Sequence, residues 1–403
     1  MSSTPQATSA PSWWSKFLQG RGVRKFKRDK MAIGSLVVIL VYLLCALAVG
    51  LNVLEKEDAF ARVGPGWTPG FGGTQNGEKR LQDAEFRIEQ IERAAAATQA
   101  EDALKALNFG ALVPFSNDPE VVSARVAEAW AIFNATVEYD DLEEDPAAAK
   151  LLLDLESKVE ELYTQPTGLS SLVHSLRMSL GTDLQGRSIM FRALYSTKVA
   201  VQIGIISALF SVLLGTLLGA AAGYFGGWVD HLVIWLYSTF SSIPWIVLLM
   251  VLASAFRGGP FDGTLIPVYA AFCMSFWISP CRVIRGEVMK LKELEYVQAA
   301  SAMGFGKIQI LLKHIIPNTA HLMFINFSLL FVGAIKAEVI LSFLGLGVKG
   351  QPSWGVMISQ AKAEVLNGFF WQIGAATFFM VILVLAFNIL SDALQDAFDP
   401  KHV

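Results

Sequence analysis

Apolar residues in this chain gather into six long stretches, near residues 32–53, 196–224, 230–256, 264–284, 320–346 and 369–390. A hydrocarbon core about 30 Å thick takes roughly 20 apolar residues of α-helix, so each stretch predicts one membrane span. The fourth contains Pro267 and Pro280, yet Met274, Phe276 and Trp277 keep it apolar between them. The pattern changes between the first two stretches. Residues 54–77 are rich in Gly and Pro and read as loop. From Glu78 to Leu107, Leu81, Ala84, Ile88, Ile91 and Ala95 recur at a spacing of three to four, which predicts an amphipathic helix. Asp118-Pro119 supplies an N-cap and a first-position proline ahead of Val122, Val126, Trp130, Phe133 and Val137. Asp145-Pro146 repeats the device ahead of Leu152, Leu155, Val159 and Leu162. Three such helices can bury one shared stripe, which predicts a small helical bundle.

Charge sets the orientation. Residues 1–31 carry seven Lys or Arg against one acid, Asp29. Residues 55–168 carry 23 Asp or Glu against 10 Lys or Arg, so the overall charge of -3 conceals a strong segregation. A basic tail belongs in the cytoplasm, which places the acidic insert outside and, after six spans, the C-terminus inside. The same topology puts residues 285–319 inside, where Arg285, Lys290, Lys292, Lys307 and Lys313 fit the positive-inside rule. With 53% hydrophobic and 17% charged residues, the composition is that of a membrane protein. Cys45, Cys273 and Cys281 lie in or at the ends of apolar runs, form no C-x-x-C pair, and read as small buried apolar residues. At the N-terminus, Ala46-Leu47-Ala48 raises the alternative of a cleaved signal peptide; the 30-residue lead and the long apolar run favour an uncleaved anchor. Trp13, Trp14, Phe17 and Phe26 among basic residues predict an interfacial helix, against a disordered tail over residues 1–12.

The stretch from Tyr296 to Asn318, YVQAASAMGFGKIQILLKHIIPN, is polar and organised, and it sits between apolar runs. Helix formers run from Glu293 to Met303, and Ala299, Ala300 and Ala302 leave a slim face for another protein's cleft. Gly304 can end that helix at positive φ and Gly306 allows a sharp turn. A second helix follows from Lys307 with Ile308, Leu311, Leu312 and Ile315 on its apolar side, and Pro317 closes it before the fifth span.

This segment resembles the EAA loop of ABC importer permeases, and in particular the C-type subunit of the dipeptide/oligopeptide/nickel family, with its Y-V-E-A-A-x-x-x-G pattern ending in R-H-I-L-P-N. Gln298 stands where that family has glutamate. The substitution removes one negative charge, leaving Glu295 and Glu293 upstream. The likeness continues at Gly181–Arg187 (G-T-D-x-x-G-R), Gly223–Asp230, Leu341–Gly347 with Pro352-Ser353-Trp354-Gly355, and Asp396–Pro400. It covers about 16–53 and 174–403; the family's first external segment is much shorter than the one here.

The resemblance implies an all-α membrane protein with six transmembrane helices, N-in and C-in, in the ABC importer type I permease fold. Its parts are a basic tail (1–31), a first span (32–53), a helical periplasmic insert (54–180) and a five-helix core (181–403) with its coupling loop at 285–319. It also implies ATPase-coupling roles for Glu295, Tyr296, Gln298, Ala299, Ala300, Gly304, Gly306, His314 and Pro317. Lys336 and Glu338, charged residues in or near the outer end of the fifth span, are candidates for a pathway or gate; snorkelling or packing on a partner subunit is the alternative. Two apart on a helix, they do not face each other. The implied partners are a second homologous permease, two ABC ATPases and a periplasmic or lipid-anchored solute-binding protein, in a bacterial inner membrane and its lipid. The implied cargo is peptides or similar small solutes, and no nucleic acid is expected. The insert's acidity either docks a partner or simply keeps the surface solvated.

No G-x-x-x-x-G-K-[ST] is present, since Gly304-Phe305-Gly306-Lys307 lacks the spacing and the hydroxyl. ATP and Mg are therefore expected on the partner ATPases, with no cofactor on this chain. His174, His231, His314, His321 and His402 lack metal-site spacing, and no G-x-S-x-G appears, so no catalytic or metal residue is assigned. A rival reading is a membrane-embedded sensor or enzyme whose acidic external domain reads a ligand. Single cysteines introduced between 285 and 319 should react with impermeant maleimide only from the cytoplasmic side; labelling from outside would overturn the topology.

Overall fold

The computed structural model describes residues 29–398 except 55, 61–62, 64–69, 71–75, 98–112, 117, 165–166, 257–258 and 262–263. The interfacial helix expected around Trp13 to Phe26, and Asp399 and Pro400 of the C-terminal motif, lie outside the described residues.

The described chain is almost entirely helical. In order it forms α1 (Lys30–Gly50), α2 (Lys56–Phe60), α3 (Gly77–Ala97), β1 (Val113–Pro114), α4 (Pro119–Val137), α5 (Pro146–Glu161), β2 (Tyr163–Thr164), α6 (Leu169–Met178) and α7 (Ile189–Phe225). Then follow α8 (Gly227–Ser241), α9 (Trp245–Ala255), α10 (Ile266–Phe276), α11 (Ile278–Leu291), α12 (Glu295–Ala302), α13 (Lys307–Ile310), α14 (Ala320–Phe343), α15 (Trp354–Leu366) and α16 (Trp371–Phe398). Strands β1 and β2 pair antiparallel, Val113 opposite Thr164.

Among the described residues, five helices are long and apolar enough to cross a membrane: Lys30–Gly50, Ile189–Phe225, Ile266–Leu291, Lys307–Phe343 and Trp371–Asp396. A sixth crossing exists if α8 and α9, bent by 91°, count as one. Two expectations change here. The stretch at 230–256 is not one rod but two helices broken at Ser242–Pro244, because Pro244 has no N–H and Ile243 before it is steered out of the helical region. The fifth span does not begin after Pro317; it continues from Lys307. Pro267 and Pro280 both fall in the first turn of a helix, where a missing N–H costs nothing.

Two compact units make up the chain: Met1–Leu44, Val201–Leu341 and Val381–Val403 form one, Cys45–Ala200 and Ser342–Met380 the other. In the first, α7 presents Gly215, Gly219 and Gly223 at intervals of four. A Cβ at these positions would stand 2.6 Å from Trp277 O, 2.4 Å from Cys281 O and 2.7 Å from Arg285 O. The helix therefore lies directly on the backbone of α11, as small residues allow where lipid supplies no hydrophobic drive. Arg285 grips Asp230 through two bonds, 2.5 and 2.7 Å, tying α11 to α8. At Gly204, Phe331 fills the missing side chain's place and stacks on Phe387 at 3.8 Å.

In the second unit α3, α4 and α5 form a bundle. Asp118 and Asp145 cap their helices by accepting from Glu120 N–H at 3.0 Å and Ala147 N–H at 2.8 Å. Ala84, Ile88, Ile91, Val122, Val126, Ala129, Leu155, Val159 and Leu162 share one core, closed by Tyr163. Val137, expected on that stripe, is exposed at the end of α4.

The same unit holds a buried polar network around Asp183. One carboxylate oxygen accepts the backbone N–H groups of Gln185 and Arg187 at 2.9 and 3.0 Å. The other accepts Arg187 Nε at 2.7 Å and also Arg192 Nη1. Gln360 Oε1 accepts from Arg187 Nη2 at 3.1 Å and Arg192 Nη2 at 2.6 Å, and Gln372 Oε1 accepts from Arg192 Nη1 at 3.1 Å. The G-T-D-x-x-G-R turn, α7, α15 and α16 are thus pinned to one another. Glu364 Oε1 accepts Leu184 N–H at 2.8 Å, while its Oε2 is buried without a partner.

Burial raises the Glu364 pKa above the ordinary glutamate range, opposed by the Leu184 N–H and the two arginines, while Asp183 adds to the rise. The folded chain keeps this proton where the unfolded chain has lost it. Its contribution is present below the unfolded pKa and disappears as pH rises through the folded one. In detergent melts from about pH 4 to about pH 8, the parent's melting temperature should fall relative to Glu364→Gln as pH increases. A pH-independent difference would count against this.

Candidate functional site

The chain leaves α11 at Lys292, and Leu294 adopts an extended backbone to start α12. Gln298, at the motif's glutamate position, donates its side-chain amide to Glu293 O at 3.1 Å. A carboxylate has no such proton to give, so the departure from the motif has a local structural use. Val297 and Ala300 face inward and join Ala220, Ile284, Val288, Ile310, Leu311 and Ile315 in one core. Burying such groups stabilises by about 0.8 kcal/mol per methylene, enough to hold an eight-residue helix too short to persist alone.

Gly304, at φ 80°, ends α12. Its N–H donates to Ser301 O at 3.0 Å and that of Phe305 to Ala300 O at 3.2 Å, the paired bonds of a Schellman cap. From Lys307 the helix passes through a π turn (Leu311–Ile315) and a 3-10 turn (Ile316–Thr319) into α14. Pro317 offers no N–H; the wider turn absorbs this, with Ile316 N–H donating to Leu311 O. Leu311 and Ile315 are buried as expected, but Ile308 and Leu312 face outward with Met303 and Phe305.

Asn318 ties the loop together by donating to His314 O at 2.6 Å and to Tyr296 Oη at 2.9 Å. Phe305 meets His314 edge-on at 6.3 Å. Of the residues singled out by sequence, Glu295, Tyr296, Gln298, Ala299, Gly304, Gly306 and Pro317 are exposed and His314 is half-buried. Ala300 is turned inward, so its small size serves packing within this chain and not an outward cleft. Spacing along the sequence does not reveal the brace by Asn318 or the outward rim of Met303 (70% exposed) and of Ile308 (66%), which it places on the helix's apolar side. Asn318 was visible only as the last letter of the motif.

Lys336 is exposed on α14 and Glu338 is 3% exposed, so the two lie on different faces. Among the described residues no cluster of His, Cys, Asp or Glu fits a metal.

Residues 215–402 match the family described as "Binding-protein-dependent transport system inner membrane component". The dipeptide transport system permease protein DppC of Bacillus subtilis is 36% identical over 225 residues, covering 55% of this chain and 68% of that protein. The oligopeptide transport system permease protein OppC of Escherichia coli K12 is 34% identical over 223 residues, covering 55% and 72%. The peptidoglycan transport system permease protein YejE of Agrobacterium fabrum is 34% identical over 226 residues, covering 55% and 57%.

A side chain at Gly304 meets no atom within 4 Å, so substitution there tests backbone strain alone. Gly304→Val should cost about 1–2 kcal/mol locally. Limited proteolysis at residues 303–307 should accelerate, whereas Ala299→Ser should leave the rate unchanged.

Proposed function

This chain belongs to the family of binding-protein-dependent transport system inner membrane components, and from that premise we propose that it is the permease subunit of an ATP-driven importer of di- or oligopeptides. It is a transport permease of a bacterial inner membrane and not an enzyme. The peptide assignment is supported by the names of its relatives. Nothing favours the sensor reading.

One observation carries the mechanism: a short helix, α12, is packed on α7 and α11 and braced to a helix that continues unbroken into a span. Such a helix cannot be displaced without moving those spans. The ATPase, on a separate chain, would seat on the exposed face formed by Glu295, Tyr296, Gln298, Ala299, Met303 and Ile308. Inward residues Val297 and Ala300 then pass the motion to the spans. Pro317, Gly304, Gly306 and His314 would set the lever's shape. A second permease would complete the solute path, and an external binding protein would deliver cargo. Lys336 and Glu338 are kept as pathway or gate candidates. The acidic bundle between the first two crossings is a candidate docking surface for the binding protein.

Met303→Asp combined with Ile308→Asp tests the interface, because both side chains are exposed and the fold does not need them. The tagged variant should melt as the parent does but retain at most about a tenth of the ATPase in pull-down, a loss of about 1.4 kcal/mol. Full ATPase recovery and full uptake would overturn the assignment.

A further inference from the structure

Arg282 is a charge that no carboxylate balances among the described residues. It lies nine residues before the end of α11 at Leu291 and sixteen after the start of α10 at Ile266. At about 1.5 Å per residue, this is roughly 13 Å from one end of the crossing and 24 Å from the other. Its side chain is exposed. One turn further on, Arg285 is neutralised by two bonds to Asp230. Arg282 has a hydroxyl and a ring, its Nη2 donating to Ser241 Oγ at 2.8 Å and its guanidinium lying 4.7 Å from the Tyr237 ring centroid. Among the described residues no carboxylate pairs with it. A bare guanidinium within a span is costly and belongs on a face that lipid does not cover.

That face is visible. Arg282 lines a cavity of about 810 Å³ together with Ser241, Ser242, Ser275, Ser279 and Trp245. The cavity includes the break between α8 and α9, whose residues Ser242, Ile243 and Pro244 are all exposed. Irregular backbone at membrane depth survives only inside protein or beside water, and broken helices at that depth mark solute sites in transporters. The walls combine aromatic and aliphatic surface with four serine hydroxyls and one cation. Apolar walls suit varied side chains, hydroxyls suit peptide groups, and a guanidinium suits a carboxylate, which it binds through two parallel N–H···O bonds.

We propose that Arg282 is a solute-contact residue of the translocation path and receives the terminal carboxylate of the passing peptide. Tyr237 and Ser241 hold the guanidinium in place, leaving its other N–H groups for the solute. This rests on the peptide-importer reading above.

The test uses the whole transporter (both permeases, ATPases and binding protein) in proteoliposomes, with trialanine and trialanine amide each saturating the binding protein. Arg282→Gln should lower the maximal uptake rate of the free acid about tenfold and change that of the amide less than about twofold. Arg282→Lys, which keeps the charge without the fork, should fall between. Equal losses for both peptides, no loss for either, or a complex that no longer assembles would overturn the assignment. An assembled, ATP-hydrolysing parent that moves neither peptide would instead remove the peptide-importer reading itself. A second measurement does not depend on the binding protein. With the native cysteines replaced by alanine, Ser279→Cys should react faster with an anionic than with a cationic methanethiosulfonate, relative to free cysteine, and Arg282→Gln should abolish that preference. No preference in the parent, or one that survives Arg282→Gln, refutes the role.

Discussion

A peptide group in hydrocarbon has no water to turn to, and that constraint governs this molecule. Each crossing must close its own hydrogen bonds, which explains helices as long as the 37 residues of α7. It also gives meaning to every interruption. The break at Ser242–Pro244 opens beside a cavity, and the turn at Met303–Gly306 lies in a polar loop between two crossings. The residues at both interruptions are exposed and not sealed within the helix packing.

Motion can be passed along such a structure only if its joints are stiff. Three glycines bring α7 onto the backbone of α11 with no side chain between them, so the two slide or turn as one. The coupling helix rests on that pair through Val297 and Ala300. On its far side the chain re-enters the membrane without a free loop, because a π turn and a 3-10 turn carry the helix past Pro317. A proline that would end a regular helix here changes its pitch and keeps it continuous.

The charges follow a parallel logic. Asp183 is surrounded by two arginines and two backbone N–H groups, which offsets the cost of removing all of them from water. Asp230 does the same for Arg285 on a smaller scale. Pairing of this quality shows what a structural charge looks like in this protein, and it is the standard by which Arg282, paired only with a hydroxyl and a ring, stands apart.

The linear chain settled whatever depends on composition over a window or on neighbours a few residues away. Apolar runs set the crossings, Asp-Pro pairs set the starts of α4 and α5, and Gly304 set the end of α12, since caps and hydropathy are local. Three-dimensional packing decided the rest. No periodicity reveals that Pro244 breaks a span by 91° while Pro317 breaks nothing, because the outcome depends on which neighbours accept the freed carbonyls. Nor does spacing disclose that Ala300 points inward and Ile308 outward, since that depends on which neighbouring helices the loop packs against. Arg192, which pairs with Asp183, also donates to Gln372, 180 residues further on, a distance over which only the folded chain brings polar groups together.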